Sequence, residues 1–422
     1  MHTNSVFLLA CSTVVLLLCQ CSPGIRGESS VPSYAFEGSI SEEVLRNYLS
    51  RAVTHAEFAA SPELTQDGPN LCVEDDMRML QELGAKFVGR ALFRWGSEHV
   101  LNHPDFFSYA RERIAHMHAY DADVIFQASV FEIVTRRVNE VLIPSQVLDA
   151  FAQPPDPRPF RYEDMINEQG YLVDHWNAGS SVPDISRLET RMWFYYLATR
   201  YIDAGFEAIH WGQVNLIGMN DPDLLWWQEL LQKVRSYAAD HARRGYLISD
   251  AHAQSRGYKV ADDLLFDFHS FPLRVKDVPE EHLGGKLEAG HLDSIYLRSK
   301  GGRTPSGWMT ESLPYLVEFD NYGVRPGYGE PNEGDYFVWG YDEITWFALK
   351  EPWQQAEWLR YAWNWLAKTD EAGYLQMPTQ RTISRVIDRG SKYQANRASE
   401  ACPGGSGLEH TIAALWSEAE VQ

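Results

Sequence analysis

The sequence predicts an α/β fold, a single (β/α)8 TIM barrel with long loops after its third and sixth strands. Three observations carry that expectation. Short apolar runs alternate with helical patterns, the order that builds a parallel sheet. Eight such runs fall between residues 53 and 349, close to the roughly 250 residues plus insertions of such a barrel. No Gly-rich phosphate loop follows the first run, so an open nucleotide-binding sheet lacks its best signature.

Each element has its own signal. Val53–Phe58 reads as the first strand and ends in His55-Ala56-Glu57. Glu74–Leu83 reads as a helix stopped by Gly84, a residue free to take the left-handed turn at a helix end. Lys86–Phe93 is the second strand, followed by Arg94 and Trp95. A helix over Pro104–Tyr120 is opened by Pro104 and Asp105. Asp123–Phe131 is the third strand. After a long connection comes a helix over Ser186–Asp203, closed by Gly205. Phe206–Val214 is the fourth strand, Asp223–Arg244 a helix closed by Gly245, and Tyr246–Ala251 the fifth strand. Leu264–His269, Tyr315–Asn321 and Glu343–Leu349 read as strands six, seven and eight, and Pro352–Lys368 as a Trp-rich helix.

The ends of the chain read differently. Val6–Leu18 is almost continuously apolar and too short for a comfortable membrane span. Residues 1–21 are therefore expected to be a signal peptide. Cys19 and Cys21 followed by Ser22-Pro23-Gly24 suggest a bacterial lipoprotein type, with a lipid anchor to a membrane. Residues 22–45 are expected to be a tether, 46–370 the barrel, and 371–422 a C-terminal extension packed on it. Beyond the leader only Cys72 and Cys402 remain. In an exported chain they could pair or stay as two buried thiols.

Composition narrows the function. Lys plus Arg is 37 against 58 Asp plus Glu, a formal net charge of −21. That balance disfavours nucleic acid, which needs basic phosphate contacts. Fourteen Trp and 21 Tyr offer flat faces suited to sugar rings. No Cys/His cluster has zinc spacing and no cofactor motif is present, so neither metal nor cofactor is expected.

Barrel enzymes do their chemistry at the C-terminal ends of the strands. The ends here supply Glu57; Trp95; Glu132; His210, Trp211 and Gln213; Asp250 and His252; Asp267 and His269; Glu318, Asp320 and Asn321; and Trp339 before the eighth. Buried polar groups are costly unless paired, so a purely structural barrel has little reason to gather so many. Glycosidic cleavage needs two carboxyl groups across the scissile bond. In Tyr315-Leu316-Val317-Glu318-Phe319-Asp320-Asn321, alternation places Leu316, Glu318 and Asp320 on one face.

At this point the chain resembles the (β/α)8 glycoside hydrolase superfamily. Met77–Val88 looks like that superfamily's first helix leading into its second strand, and Val317-Glu318-Phe319 lies where it carries the nucleophile. The resemblance implies an enzyme that cleaves an oligosaccharide or polysaccharide, and the apolar leader an exported one. It also implies an acid/base glutamate at the end of strand four, where Ile209-His210-Trp211-Gly212-Gln213 offers Gln213 instead. Glu132 and Asp250, on the flanking strands, are the replacements expected for the acid, with Glu57 a third. The indoles and the remaining polar residues would bind substrate. Two other functions compete: a carbohydrate-binding barrel without catalysis, and a metal-dependent hydrolase in which Asp250-x-His252 and Asp267-x-His269 converge.

Overall fold

Most of the apolar runs pair, in chain order, into one large curled sheet of parallel strands. In the computed structural model, the described residues are Met1, 32–66, 68–253, 257–278, 280–289, 299–321, 343–383 and 392–421. Residues 2–21 of the expected signal peptide, residues 22–31 of the tether and Trp339 lie outside them. The chain divides into two units, Met1–Pro32 and Ser33–Gln422, and the sheet belongs to the second.

The parallel strands are β1 (Ala52–His55), β2 (Phe87–Leu92), β3 (Ile125–Ser129), β4 (Ala208–Gln213), β5 (Ile248–His252), β6 (Phe268–Pro272) and β7 (Tyr315–Glu318). Two further segments, β8 (Gly373–Leu375) and β9 (Met377–Thr382), are separated by Gln376 alone. β8 pairs in parallel with β7, and β9 pairs in parallel with β1. A last strand, β10 (Lys392–Gln394), adds antiparallel to β9.

The main helices are α1 (Glu42–Ser50), α2 (Val73–Leu83), α3 (Pro104–Tyr120), α4 (Leu188–Asp203), α5 (Leu225–His241), α6 (Glu343–Ala348), α7 (Pro352–Thr369) and α8 (Glu409–Val421), with short helical turns at Ser145–Ala150 and Val214–Ile217 besides. Local chemistry sets their ends. Gly84 closes α2 at φ 65°, and Pro104 occupies the first turn of α3. The Asp221 carboxylate accepts from the Trp226 and Trp227 amides at the start of α5, both at 3.0 Å.

Several departures from the sequence expectation bear on the site. The run Glu343–Leu349, expected as the eighth strand, is helix α6 over most of its length. The strand segments that pair with β7 on one side of the sheet and with β1 on the other come instead from the region expected to be an appended extension. Strand six begins four residues later than expected, because Asp263–Leu264 belongs to a separate small sheet with Lys259–Val260, Gly302–Arg303 and Met309–Thr310. Among the described residues no helix follows β5 or β6 before the next parallel strand. Finally, Ile40 and helix α1 lie within the expected tether boundary or just past it, yet Ile40, Val44, Leu45, Tyr48 and Leu49 are buried.

That burial explains how the interior is layered. Side chains alternate across a strand. At one level Ala52, Phe87, Ile125, Ala208, Ile248, Phe268 and Leu316 meet in an apolar cluster capped by α1. Each large side chain there is worth about 1.5–3 kcal/mol of burial. Two residues further along each strand, toward the C-terminal ends, the same face carries Thr54, Gln127, His210, Asp250, Ser270 and Glu318. The interior is therefore apolar below and polar above.

Candidate active site

The polar layer is a network of buried charges, and Glu318 is its centre. Its carboxylate, 3% exposed, accepts from Arg90 Nε at 3.0 Å and also from Arg90 Nη2. Arg381 Nη1 donates to it at 2.8 Å. His252 Nε2 lies 3.4 Å away. Burial alone would push the Glu318 carboxyl toward its neutral form. Arg90 and Arg381 outweigh that and hold it well below the usual carboxylate range. Asp320 joins the same cluster, accepting from Arg381 Nη2 at 3.1 Å, and is likewise held below its usual value against burial.

Backbone irregularities aim these groups. Strict alternation in β2 would turn Arg90 outward beside the inward Gly89. A register shift between Val88 and Leu92, with Arg90 at φ 56°, turns it inward instead. Gly89 leaves the room: a Cβ there would collide with Gln376. β4 repeats the device. A register shift between His210 and Gln213, with Gly212 at φ 59°, lets both polar side chains face the site.

Glu132, just past β3, is gripped by Gln213. One carboxylate oxygen accepts from the Gln213 amide at 3.0 Å and the other from its side chain at 2.9 Å. Glu132 also adds its charge to the field at Arg90, the guanidinium that holds Glu318. Asp250 is more fully committed. It accepts from Gln127 Nε2 at 2.6 Å, from His210 Nδ1 at 2.8 Å and from Ser270 Oγ, and it is completely buried. Its three donors come from β3, β4 and β6, so Asp250 ties those strands together in the polar layer. Above this layer the long β3 connection brings in Phe131 and Trp176. The Trp95 and Trp176 rings lie 4.9 Å apart, and Trp95 lies 5.6 Å from Phe131. Phe131 in turn sits under the Arg90 guanidinium at 5.2 Å.

The chain is matched by no protein-family model and by no curated protein sequence. It is similar to several solved structures. A Nostoc punctiforme debranching enzyme soaked with acarbose shares 10% identity, with 89% of this chain and 82% of that one covered at a TM-score of 0.45. Ttha1563 from Thermus thermophilus shares 13%, covering 89% and 82% at 0.47. A cyclic α-maltosyl-(1→6)-maltose hydrolase from Arthrobacter globiformis, in complex with that sugar, shares 11%, covering 89% and 84% at 0.44.

Not every expected site residue is in this network. Trp211 is fully buried and turned away from it, against Phe194 and Trp227 of the helical layer. Asp267 lies at the opposite end of β6, accepting from Tyr246 Oη and, at 2.9 Å, from the Ser249 amide. His269 pairs in register with Ala251, not with Asp250 or His252. It faces outward, with Nδ1 3.2 Å from Ser299 Oγ, and burial pushes its pKa down to about 3. The two Asp-x-His pairs therefore do not converge: β6 sits one residue out of phase with the alternation the sequence suggested. Among the described residues no group of three or more His, Cys, Asp or Glu side chains is arranged to hold a metal ion. Glu57 is at the rim, bound by Lys392 Nζ at 2.8 Å. Asn321 is exposed and accepts from Arg381. Sequence reading missed Arg90 and Arg381. The available signal was a lone arginine within an apolar strand, which is tolerable only beside a buried anion.

Proposed function

We propose that the chain is an exported glycoside hydrolase acting on an oligosaccharide or polysaccharide at the C-terminal ends of its parallel strands, with Glu318 as nucleophile. The observation that carries this is a buried carboxylate gripped by two arginines beneath a rim of aromatic rings. A carboxylate held below its usual range by two guanidiniums is a weak proton acceptor. It remains ionised and able to attack an anomeric carbon, and it leaves readily afterwards. The Trp95 and Trp176 faces suit sugar rings.

A closed (β/α)8 barrel is the architecture we propose for the sheet. Supporting it, the pairings followed from Thr54 through each parallel neighbour return to the segment containing Pro378 displaced by about eight residues, the shear of that barrel. Export is supported by the apolar run Val6–Leu18 and by the Cys72–Cys402 disulfide, a bond that persists in oxidising compartments. The Cys19/Cys21 pattern adds a lipid anchor to that proposal.

Glu318→Gln keeps the side chain's size and removes its negative charge. It is expected to lower kcat about 10⁴-fold or more on whatever glycan the wild type cleaves. A melting curve on the same sample confirms that the variant folds, and near-normal turnover in a folded variant rejects the assignment. A second function, sugar binding without cleavage, is favoured by Gln213, which holds Glu132 where an acid would be needed. Retention of oligosaccharides by the wild type with no product after long incubation would select it.

A further inference from the structure

We infer that His210, oriented by Asp250, is the proton donor and acceptor of the proposed hydrolysis, in place of the carboxyl expected at the end of the fourth strand. The inference rests on that reading of the site and supplies the partner it lacks. Three carboxyl candidates for the acid are otherwise engaged. Glu57 is tied to Lys392, Asp250 carries three side-chain donors, and both oxygens of Glu132 accept from Gln213.

His210 has the opposite character. Its Nδ1 is committed to Asp250 Oδ2 at 2.8 Å, which requires the proton on Nδ1 because a carboxylate only accepts. Gln127 and Ser270 pin Asp250 in turn. The remaining ring atom, Nε2, is fully buried and has no hydrogen-bond partner among the described residues. Leaving such an atom unpaired costs about 1–3 kcal/mol, so its position asks for a ligand atom. The ring lies 4.8 Å from that of His252, whose Nε2 is 3.4 Å from the Glu318 carboxylate. The His252 ring, on β5, thus links the ring that carries the free nitrogen on β4 to the nucleophile on β7. An aspartate that fixes the tautomer of a histidine is a recurring means of preparing an acid–base group.

The step balances as follows. Glu318 Oε bonds to the anomeric carbon as the bond from that carbon to the leaving oxygen breaks. The bonding pair stays on the leaving oxygen, which takes the Nε2 proton of the His210 imidazolium. Water then adds to the anomeric carbon and gives a proton to neutral Nε2. The bond to Glu318 breaks and its pair returns to the carboxylate. His210 is here a catalytic residue and Asp250 a positioning residue.

The test compares two leaving groups. A panel of 2,4-dinitrophenyl glycosides, which depart without protonation, is assayed beside the matching disaccharides, which do not. His210→Asn is expected to lower kcat on the disaccharide about 10²–10⁴-fold, with the dinitrophenyl glycoside losing about tenfold or less in the bond-breaking step. Pre-steady-state release of dinitrophenol reads that step directly. Asp250→Asn should show the same leaving-group split to a smaller degree, with KM little changed. Glu318→Gln should lose both substrates alike. Equal losses on both substrates in a folded His210→Asn variant overturn the role of His210 while leaving the hydrolase intact. No turnover of any glycoside by the wild type overturns the function itself and this inference with it.

Discussion

Glu343 and Asp320 are neighbours with opposite fates. The Asp320 amide donates to Glu343 Oε2 at 3.3 Å, and both side chains are buried. Two arginines keep Asp320 ionised, whereas burial, aided by the Asp320 charge and only partly opposed by Arg274, pushes Glu343 up to about 8. The folded state therefore keeps a proton on Glu343 that the unfolded chain, with an ordinary value near 4.5, releases. Stability from this group is full below about pH 4.5 and is lost as pH rises toward 8. Glu343→Gln removes that slope, so the variant should gain on the wild type steadily between pH 5 and 8. Melting temperatures of both proteins across that window decide it; parallel curves would exclude a raised Glu343. At this scale the sequence was legible where polar residues broke an alternating apolar face. Glu318, His210, Asp250 and His252 all lie in the interior layer for that reason. Arg90 and Arg381 were not legible. Arg90 faces inward only through a left-handed residue that no alternation rule anticipates, and Arg381 lies in the C-terminal extension, expected to pack on the barrel and not to line its interior.

Among the elements, β2 shows how little space the polar layer leaves. Gly89 stands where a Cβ would meet the Gln376 amide and lie 3.1 Å from Gln127 Oε1. Gln127 bonds Asp250, so crowding at Gly89 passes directly to the His210 dyad. Gly89→Ala is expected to destabilise by about 1–3 kcal/mol through overpacking, and to reduce turnover more than a surface Gly→Ala change of equal cost. Urea titration alongside kcat separates the two effects, and an unshifted midpoint would show that Gln376 yields freely. The same crowding explains the misread strand. β8 and β9 carry Gln380 and Arg381, flank Gln376 and include Gly373 and Pro378, so they lack the apolar run by which strands are recognised. Glu343–Ala348 has that run and is a helix, because a short apolar segment packed on several sides gives no usable period. Helices with caps and one apolar face, such as α2 and α3, were legible almost to the residue.

Across the whole molecule, the disulfide between Cys72 and Cys402 ties the start of α2 to the segment before α8. It does not act alone. Arg78 Nη1 reaches Glu409 at 2.9 Å, and Asn396 donates to Asp75 at 2.9 Å. The sequence left pairing and free thiols equally open, since two cysteines separated by 330 residues say nothing of their distance until the sheet is assembled. Replacing both by serine should cost about 2–5 kcal/mol, mostly by freeing the unfolded chain. The melting temperature of the double variant against oxidised wild type measures it, and equal values would mean that the ion pairs suffice.

That covalent link also changes what it means to cut this protein. It encloses residues 72–402 in one ring. A peptide bond severed anywhere between residues 72 and 402 opens the ring without dividing the molecule, so both pieces travel together until a reductant separates them. A nicked population would therefore keep its full mass under oxidising conditions, concealing damage that only reduction reveals.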